Sequence, residues 1–406
     1  MTRRVRVLVL NQYYWPGVEA TAHLLSQLCE ALAADFEVTV VTACLRDTAE
    51  APERLERNGV KIIRVHSTVF DRSRLAARAA NYVSFLAGSL WAGLGVPRPD
   101  VVLCMTDPPL IANIALPVAR RFGASLVVIT QDVFPEIAVQ LGRLEQPLVV
   151  GALRRAIGFS LRRADRVVAI GDTMRERIAA KGVEPARIAV IPNWGDTESL
   201  TPLPTDNEWA RSYGLDGRFV VMHSGNVGFA QDLDTLIRSS TFLRDLEDLS
   251  VMIVGSGARR EILRSLAQRV AAGAVRFLPY QDAGLVSMSL SAADIHFVGL
   301  VRGLAGYVVP SRVYGIMAVA RPLIVSADDE SETARLVREV ECGIVVPPGR
   351  PDLVAEAIRE AHAGSYDLDA MGQRGSEFVR REATREVAVG RYRALIGELA
   401  GVLEPS

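Results

Sequence analysis

The sequence predicts an α/β fold made of two doubly wound parallel-sheet domains, Rossmann-like in type and facing a cleft. The chain has 406 residues, enough for two domains of ordinary size. Short β-branched runs alternate with helical patterns in both halves, which is typical of βαβ units and parallel sheets. Turn residues interrupt this alternation once, after Ile191, so we expect two sheets and not one.

Seven apolar runs of strand length assign residues 1–195 to the first domain. They are Val5–Leu10, Glu37–Thr42, Val60–Val65, Val101–Met105, Leu126–Thr130, Val167–Ile170 and Ile188–Ile191. Leu24, Leu28 and Leu32 mark one face of a helix between the first two runs.

Proline-rich turns predict a linker over residues 196–217, and the alternation then begins again. Six further runs assign residues 218–375 to the second domain: Phe219–His223, Ser250–Val254, Val275–Leu278, Ile295–Val298, Leu323–Ser326 and Ile344–Val346. A helical pattern follows in residues 376–406, mainly over Ser376–Leu403.

Composition excludes several classes of protein. Hydrophobic residues make up 49% and charged residues 23% of the chain, as in ordinary globular proteins, and the net charge of -1 gives no reason to expect a nucleic-acid partner. The four cysteines lie far apart, without the spacing of a zinc or redox motif. No export signal precedes the first strand, so we expect a reducing, cytoplasmic location.

A stretch around residues 79–97 without charged residues gives two equal interpretations. Arg72, Arg74 and Arg78 precede it and Trp91 lies within it, which is typical of helices in a membrane interface. The other interpretation is a buried helix. Polar residues and glycines dilute the stretch too much for a membrane span, so peripheral contact through Arg72–Trp91 is the membrane hypothesis.

Glycine-rich loops follow three predicted strands of the second domain, where parallel sheets bind ligands. Gly225 and Gly228 follow the first strand, Gly255 and Gly257 the second, and Gly303 and Gly306 the fourth. Glycine lets backbone N–H groups approach an anion at a helix N-terminus, although a single such loop is equally explained by a turn. Three together favour a nucleotide diphosphate.

Arg312 is the candidate cation for that phosphate. Pro310 and Ser311 predict the start and the cap of a helix, which places Arg312 in the first turn. A cation there opposes the helix dipole and needs an anionic partner. The alternative is a surface ion pair with Asp328 or Asp329, and we favour phosphate.

Asp132 and Glu136 are candidate catalytic carboxylates, because Gln131–Glu136 closes a strand of the first domain. They can hydrogen-bond a reacting hydroxyl or stabilise developing positive charge. Capping of a helix that contains Pro135 is an equal alternative.

Neither the histidines nor the paired aspartates predict a metal site. The five histidines do not cluster, and His223 and His296, at strand ends, are best explained as buried residues beside the sheet. Two Asp-x-Asp pairs, at 232–234 and 367–369, stand at predicted helix starts, where aspartate is favoured anyway.

Five motifs in order resemble the family-four retaining glycosyltransferases of GT-B fold. They are Asn11–Gly17, Val190–Trp194, Ser224–Gly228, Ile253–Gly257 and the Pro310-Ser-Arg-Val-Tyr-Gly segment. The resemblance spans essentially the whole chain and is greatest to the colanic-acid and O-antigen transferases, which act on amino or deoxy sugars.

The resemblance implies that the second domain binds a nucleotide-diphosphate sugar and the first binds the acceptor. The loop through Gly17 would cover the diphosphate, backbone near Phe277–Tyr280 would hold the base, and the terminal helix would return to the first domain. The predicted donor-binding residues are Gly17, Gly225, Asn226, Gly228, Gln231, Gly255, Gly257, Tyr280, Gly303, Gly306, Ser311, Arg312, Tyr314 and Glu332. Asp132, Glu136 and Arg312 are the predicted catalytic residues.

The sequence departs from the family pattern at the donor contacts. Gly315 and Tyr307 occupy the positions of a glutamate pair whose second member binds the ribose in many relatives. Asn226 and Gln231 occupy the region that supplies an arginine and a lysine to the phosphate. We therefore assign charge neutralisation to Arg312, with Arg302 behind it, and a ribose or donor hydroxyl to Glu332. Glu332 can equally be a helix-opening residue beside Ser331.

The expected reaction is retaining transfer of a hexosamine-type sugar from a donor, expected to be UDP-linked, without a metal. Retention is inherited from the resemblance. The acceptor would be a saccharide, free or lipid-linked, or a natural product. The rival hypotheses are a UDP-sugar 2-epimerase, which would need clustered acid–base groups, and a non-catalytic two-domain sugar-binding protein.

Overall fold

The computed structural model describes residues 3–17, 20–44, 54–66, 68 and 75–402, with only the backbone described at 20 and 75–79. The chain divides into two units. Unit 1 comprises Met1–Pro192 and Glu386–Ser406, and unit 2 comprises Asn193–Arg385.

Unit 1 is built on an eight-stranded sheet. Its strands are β1 (Arg6–Leu10), β2 (Glu37–Ala43), β3 (Arg54–Arg57), β4 (Val60–Val65), β5 (Val101–Met105), β6 (Ser125–Thr130), β7 (Arg166–Ala169) and β8 (Ile188–Val190). Their order is β3-β4-β2-β1-β5-β6-β7-β8, and each neighbouring pair is parallel except β3 with β4. The seven predicted strands are present; β3 was not predicted, because this polar edge strand lacks a buried apolar run.

The described residues before Pro192 also form α-helices. They are α1 (Ala20–Leu32), α2 (Leu75–Leu94), α3 (Ile111–Phe122), α4 (Glu136–Gln140), α5 (Pro147–Arg163) and α6 (Asp172–Ala179). A further helix joins this unit from the end of the described chain. Leu28 and Leu32 of α1 are fully buried, as their spacing predicts.

Helices α2, α3 and α5 lie side by side and form a layer. Gly93 of α2 faces Val118 of α3, and Asn113 of α3 donates a 2.8 Å hydrogen bond to the Ala156 carbonyl of α5. The absence of a side chain at Gly93 allows this close approach, since a Cβ there would lie 3.2 Å from Val118.

The uncharged stretch forms most of helix α2, which has one buried side and one exposed side. Phe85 is completely buried, whereas Val83 and Trp91 on the other side of the helix are exposed. Arg72 and Arg74 lie outside the described residues, as does the side chain of Arg78. Among the described helices, none combines the length and hydropathy needed to cross a membrane.

Unit 2 contains a six-stranded sheet in which all neighbours are parallel. Its strands are β9 (Phe219–Ser224), β10 (Leu249–Val254), β11 (Val275–Leu278), β12 (Ile295–Gly299), β13 (Leu323–Ser326) and β14 (Gly343–Val346), in the order β11-β10-β9-β12-β13-β14. The helices are α7 (Glu208–Ser212), α8 (Leu233–Ser239), α9 (Arg260–Arg269), α10 (Val286–Ser291), α11 (Arg312–Ala318), α12 (Glu332–Val340), α13 (Pro351–His362) and α14 (Leu368–Glu382).

The segment predicted as a linker, 196–217, belongs to unit 2. Trp209 and Leu215 are buried against Val220 and Met222 of β9, so the segment is part of the hydrophobic core. The turn-forming residues were identified correctly, but the pattern did not reveal that one large aromatic side chain anchors them.

The predicted terminal helix is two helices. A break at Ala383 and Thr384 separates α14, which packs in unit 2, from α15 (Arg385–Leu399). From Glu386 onward the chain lies in unit 1, where Arg393 bonds Asp35 at 2.6 Å and Arg166 pairs with Glu398.

Candidate functional site

The loops after β9 and β10 in unit 2 pack backbone against backbone. Gly255 adopts φ +140°, and a Cβ at this position would overlap the carbonyl oxygen of Gly225. Val227 donates its N–H to the Ser256 carbonyl at 2.8 Å. Glycine is therefore required for close approach of the two loops.

Several backbone N–H groups that we predicted to bind an anion instead donate hydrogen bonds within the protein. Gly225 donates to Val254, Gly255 to Leu278, and Gly228 to the side-chain oxygen of Gln231 at 3.0 Å. Gln231 thereby braces the loop. These glycines shape the site, so much of the neutralisation of a bound anion must come from a side chain.

Arg312, the cation predicted for this role, lies beside the first of these loops. It opens α11, its guanidinium reaches Gly225, and its Nη1 lies 3.0 Å from the ring nitrogens of His223. Among the described residues it makes no ion pair with a carboxylate: Asp329 pairs with Arg338, and Asp328 accepts from Gly303. The surface-pair alternative is thus wrong.

The surroundings of Arg312 leave its charge uncompensated. Burial lowers the pKa of Arg312 to about 10. Burial, and secondly the charge of Arg312, hold the pKa of His223 well below its ordinary value, so the imidazole is neutral. The His223 Nε2 lies 3.3 Å from the Asn226 carbonyl, which fits an Nε2–H donor and leaves Nδ1 to accept from Arg312.

His223 was not among the predicted site residues. Its position at the end of β9 was the available signal, but the pattern could not show that it orients an arginine from α11. His296, in contrast, fits the buried-residue interpretation, because its Nε2 lies 2.9 Å from the Leu290 carbonyl near the start of β12.

Tyr280, Tyr314 and Glu332 lie on the same unit as Arg312. Tyr280 is exposed, donates to the Ser256 carbonyl at 3.3 Å and is electrostatically coupled to Arg312. Burial raises the pKa of Tyr314, and the charge of nearby Glu332 adds to the rise. Glu332 is the first residue of α12, whose N-terminus Ser331 caps through its hydroxyl. The structure thus connects Tyr280 with Arg312 and pairs Tyr314 with Glu332.

Two local expectations beside Arg312 are corrected. Ser311 precedes α11 but makes no capping hydrogen bond through its side chain. Arg302 donates to the Pro348 carbonyl at 3.0 Å, so it holds a neighbouring loop. Gly303 and Gly306 both have positive φ, and Gly303 donates its N–H to Asp328 at 2.6 Å.

The second polar cluster lies in unit 1, at the ends of β5 and β6. The backbone N–H groups of Gln131 and Asp132 point to the hydroxyl of Thr106, at 3.2 and 3.4 Å. Burial, with the charge of Asp107 as a second cause, raises the pKa of Asp132 to about 7. Asp132 does not cap α4, so the capping alternative is wrong for this residue. Asp107 was missed, although it also follows a predicted strand.

Glu136 is held in a partly buried ion-pair network. It pairs with Lys181 and bonds Arg154 at 3.1 Å. Burial acts to raise the pKa of Glu136, but the hydrogen bond and charge of Lys181 outweigh it and the net pKa is lowered. Glu136 is the first residue of α4, and its ion pairs give its carboxylate a more direct structural role than that of Asp132.

Gly17 lies in unit 1, separately from the other predicted donor residues. Its N–H donates to the Tyr14 carbonyl at 2.8 Å, which closes the turn after β1. Trp15 in this turn has the guanidinium of Arg57 4.6 Å from its ring centroid, and Arg64 donates to its carbonyl at 3.1 Å.

Comparison with known families identifies these two units. Residues 19–194 match the glycosyl transferase 4-like domain, and residues 218–363 match the glycosyl transferases group 1. The chain belongs to the family-four glycosyltransferases of GT-B fold. The resemblance drawn from its motifs is confirmed.

Three curated relatives of this glycosyltransferase are transferases by name. A probable glycosyltransferase WbjE of Pseudomonas aeruginosa is 26% identical over 74% of this chain and 75% of its own. A putative colanic acid biosynthesis glycosyl transferase WcaI of Escherichia coli is 24% identical over 88% and 92%. An α-D-kanosaminyltransferase of Streptomyces kanamyceticus is 25% identical over 53% and 55%.

Solved structures confirm the predicted fold class. Sucrose-phosphate synthase from Thermosynechococcus elongatus superposes with a TM-score of 0.81 at 18% identity, over 98% of this chain and 100% of its own. HepE from Anabaena, in complex with UDP and glucose, gives 0.76 at 14% identity, over 97% and 99%.

The Asp-x-Asp pairs of this glycosyltransferase have structural partners. Asp234 forms a two-point ion pair with Arg259, and Asp232 accepts from the Gly349 N–H at 3.0 Å. Asp367 caps α14. Within the described part of the chain, no group of three or more histidine, cysteine or acidic residues is arranged to hold a metal ion.

Proposed function

We propose that this glycosyltransferase moves a hexosamine-type sugar from a UDP-linked donor to a saccharide acceptor with retention of anomeric configuration. The observation that carries the proposal is Arg312, a partly buried guanidinium with a neutral histidine as its partner and no carboxylate beside it among the described residues. A buried cation in this state is stabilised by an anion that enters the site. The diphosphate of a sugar nucleotide supplies one.

In this mechanism unit 2 carries the leaving group. Arg312 donates hydrogen bonds to the phosphate oxygens as negative charge develops on them, and His223 keeps the guanidinium oriented. Tyr280, which is exposed and electrostatically coupled to Arg312, faces the nucleotide side of the donor in this mechanism. Charge stabilisation by an arginine removes the need for a metal ion.

Unit 1 supplies the acceptor contacts. Burial raises the pKa of the Asp132 carboxyl to about 7, and this carboxyl is the hydrogen-bond partner for the acceptor hydroxyl. In the retaining reaction the acceptor hydroxyl attacks from the face on which phosphate departs, and the phosphate accepts its proton. Asp132 then hydrogen-bonds the acceptor.

The relatives and structural neighbours support the choice of donor. HepE binds UDP and glucose in a similar fold, and the kanosaminyltransferase transfers an amino-sugar group by name. WcaI is named for colanic acid biosynthesis, which supports a saccharide acceptor, with a lipid-linked one included. We place the reaction in the cytoplasm, at the inner face of the membrane when the acceptor is lipid-linked.

The test is nucleotide release from a panel of UDP-, GDP- and dTDP-sugars without added metal. Slow hydrolysis of a UDP-hexosamine, lost in Arg312→Ala, is the expected result. A matched control is Arg302→Ala, because Arg302 is bound to a backbone carbonyl in a neighbouring loop.

Three results would contradict the proposal. Recovery of an epimerised donor would favour the 2-epimerase. Tight donor binding without turnover, even with saccharide acceptors present, would favour a binding protein. A strict requirement for a divalent cation would overturn the assignment of charge neutralisation to Arg312.

A further inference from the structure

The exposed side of the α2–α3–α5 layer in unit 1 carries large apolar side chains. On α2, Trp91 is 76% and Val83 65% exposed. On α5, Leu148 is 90% and Phe159 43% exposed. Single exposed apolar residues are ordinary on protein surfaces, but several large ones on one helical layer indicate a contact surface.

The exposed residues of α5 form one stripe. Leu148, Ala152, Arg155 and Phe159 are all exposed and recur at intervals of three and four residues, which places them on one face of the helix. Arg163 continues the stripe, with its guanidinium 5.4 Å from the ring centroid of Phe159. The stripe therefore combines apolar and cationic side chains on one face of α5.

Charge is concentrated on the same layer. Helices α2, α3 and α5 together contain seven arginines and no acidic residue, although the whole chain has a net charge of -1. Exposed arginines without a carboxylate partner among the described residues are Arg120, Arg121, Arg155 and Arg163. Such a one-sided distribution creates a local positive potential on a nearly neutral protein.

We propose that this surface, the arginine face (the exposed side of α2, α3 and α5), docks on an anionic phospholipid bilayer. Apolar side chains flanked by arginines on a helix lying flat match the chemistry of an interfacial helix, which inserts its apolar groups among lipid headgroups and binds their phosphates. A second copy of the chain is a poor occupant, because a two-fold interface would place the arginines of both copies against each other.

The arginine face is joined to the acceptor cluster. Arg154 of α5 bonds Glu136, four residues from Asp132. A protein held on a bilayer by α5 therefore presents the Gln131–Glu136 loop close to the membrane, where a lipid-linked acceptor is confined. This last step rests on the proposed function, whereas docking itself does not.

The experiment is co-sedimentation of the full chain with vesicles of phosphatidylcholine alone or mixed with phosphatidylglycerol. We expect binding to the anionic vesicles only, weakened by salt. Each basic residue near an anionic surface contributes roughly fivefold to binding. The variant Arg155→Gln/Arg163→Gln should therefore bind about 25-fold more weakly, and Phe159→Ser should also lose affinity.

Matched controls lie in unit 2. Arg269→Gln/Arg335→Gln removes the same charge from exposed helix positions, and Phe242→Ser removes a phenylalanine that is 55% exposed. Both should bind like the unaltered protein. Thermal unfolding of every variant establishes that it is folded.

The proposal is overturned if the unaltered protein stays in the supernatant with anionic vesicles, or if the arginine-face variants bind no more weakly than their controls. It is also overturned if these variants instead dissociate a dimer in light scattering. Vesicle binding without sugar transfer would contradict the proposed function and leave membrane docking supported.

Discussion

Replacing Arg312 with methionine should stabilise the free protein and at the same time weaken its response to UDP. Methionine has a similar length, is apolar and leaves little cavity. The charged side chain it replaces is the one whose pKa burial lowers from 12.5 to about 10. Loss of an unfavourable charge and loss of ligand binding are thus expected from one substitution.

The magnitude follows from the pKa. One unit corresponds to about 1.4 kcal/mol, so the environment disfavours the charged guanidinium by roughly 3 kcal/mol. Arg312 keeps some contact with solvent, and the bond to His223 is lost, so we expect about half of this as a gain in unfolding free energy. For a unit of this size the melting temperature should rise by about 3–6 °C.

The response to UDP should fall in parallel. A hydrogen bond from a charged group contributes about 1.5–3 kcal/mol, so the affinity for UDP should decrease roughly 10- to 150-fold. Differential scanning fluorimetry with increasing UDP measures both quantities in one assay.

Arg321→Met is the matched control. Arg321 is also partly buried in unit 2, but it donates to the carbonyls of Ser291 at 3.0 Å and Leu203 at 2.6 Å. Its removal leaves these acceptors unpaired and should lower the melting temperature. The reasoning is refuted if Arg312→Met destabilises the protein as much as Arg321→Met does and binds UDP as tightly as the unaltered protein.

Three further predictions concern both units. Since the pKa of Asp132 is raised to about 7, the folded state holds a proton that the unfolded state releases, and the unfolding free energy falls as pH rises from about 4 through 7. Asp132→Asn should flatten this dependence of the unfolding free energy on pH, measured by urea unfolding between pH 5 and 8. An unchanged dependence would exclude Asp132 as its source. Glu136→Gln should lower the unfolding free energy by about 2 kcal/mol because Lys181 stays largely buried without a carboxylate opposite it, against less than about 0.5 kcal/mol for Glu184→Gln in an exposed pair. Gly255→Ala should destabilise the protein by more than about 2 kcal/mol and Gly273→Ala hardly at all, since a Cβ at Gly255 overlaps a carbonyl and one at Gly273 meets nothing within 4 Å; equal effects would contradict the close packing of the loops.

The sheets were predictable because buried parallel strands are continuous apolar runs. Each predicted strand has its counterpart, from β1 (Arg6–Leu10) to β14 (Gly343–Val346). The polar strand β3 was missed, since an edge strand needs no such run. The linker was misassigned because its composition is that of a turn, while Trp209 fixes it in the core through contacts between residues distant in sequence.

The loops of the candidate site could be placed from the sequence, but the hydrogen-bond and ion-pair partners of their side chains could not. The strand-end rule identified the loops, and the dipole argument identified Arg312 as a cation without a local partner. The sequence could not show that His223 would orient Arg312, or that Lys181 and Arg154 would form ion pairs with Glu136. Such pairs join residues many positions apart and are set by packing.

The passage of α15 back into unit 1 determines the order in which the polypeptide can complete its folding. Unit 2 is one uninterrupted stretch, so its core can form while the ribosome is still adding the final residues. Unit 1 lacks α15 until then, and the surface of unit 1 that covers Tyr392 and Ile396 stays uncovered before that moment. Loss of α15 would therefore destabilise unit 1, which is synthesised first. A truncation that removes α15 would lower the stability of the N-terminal half of the protein.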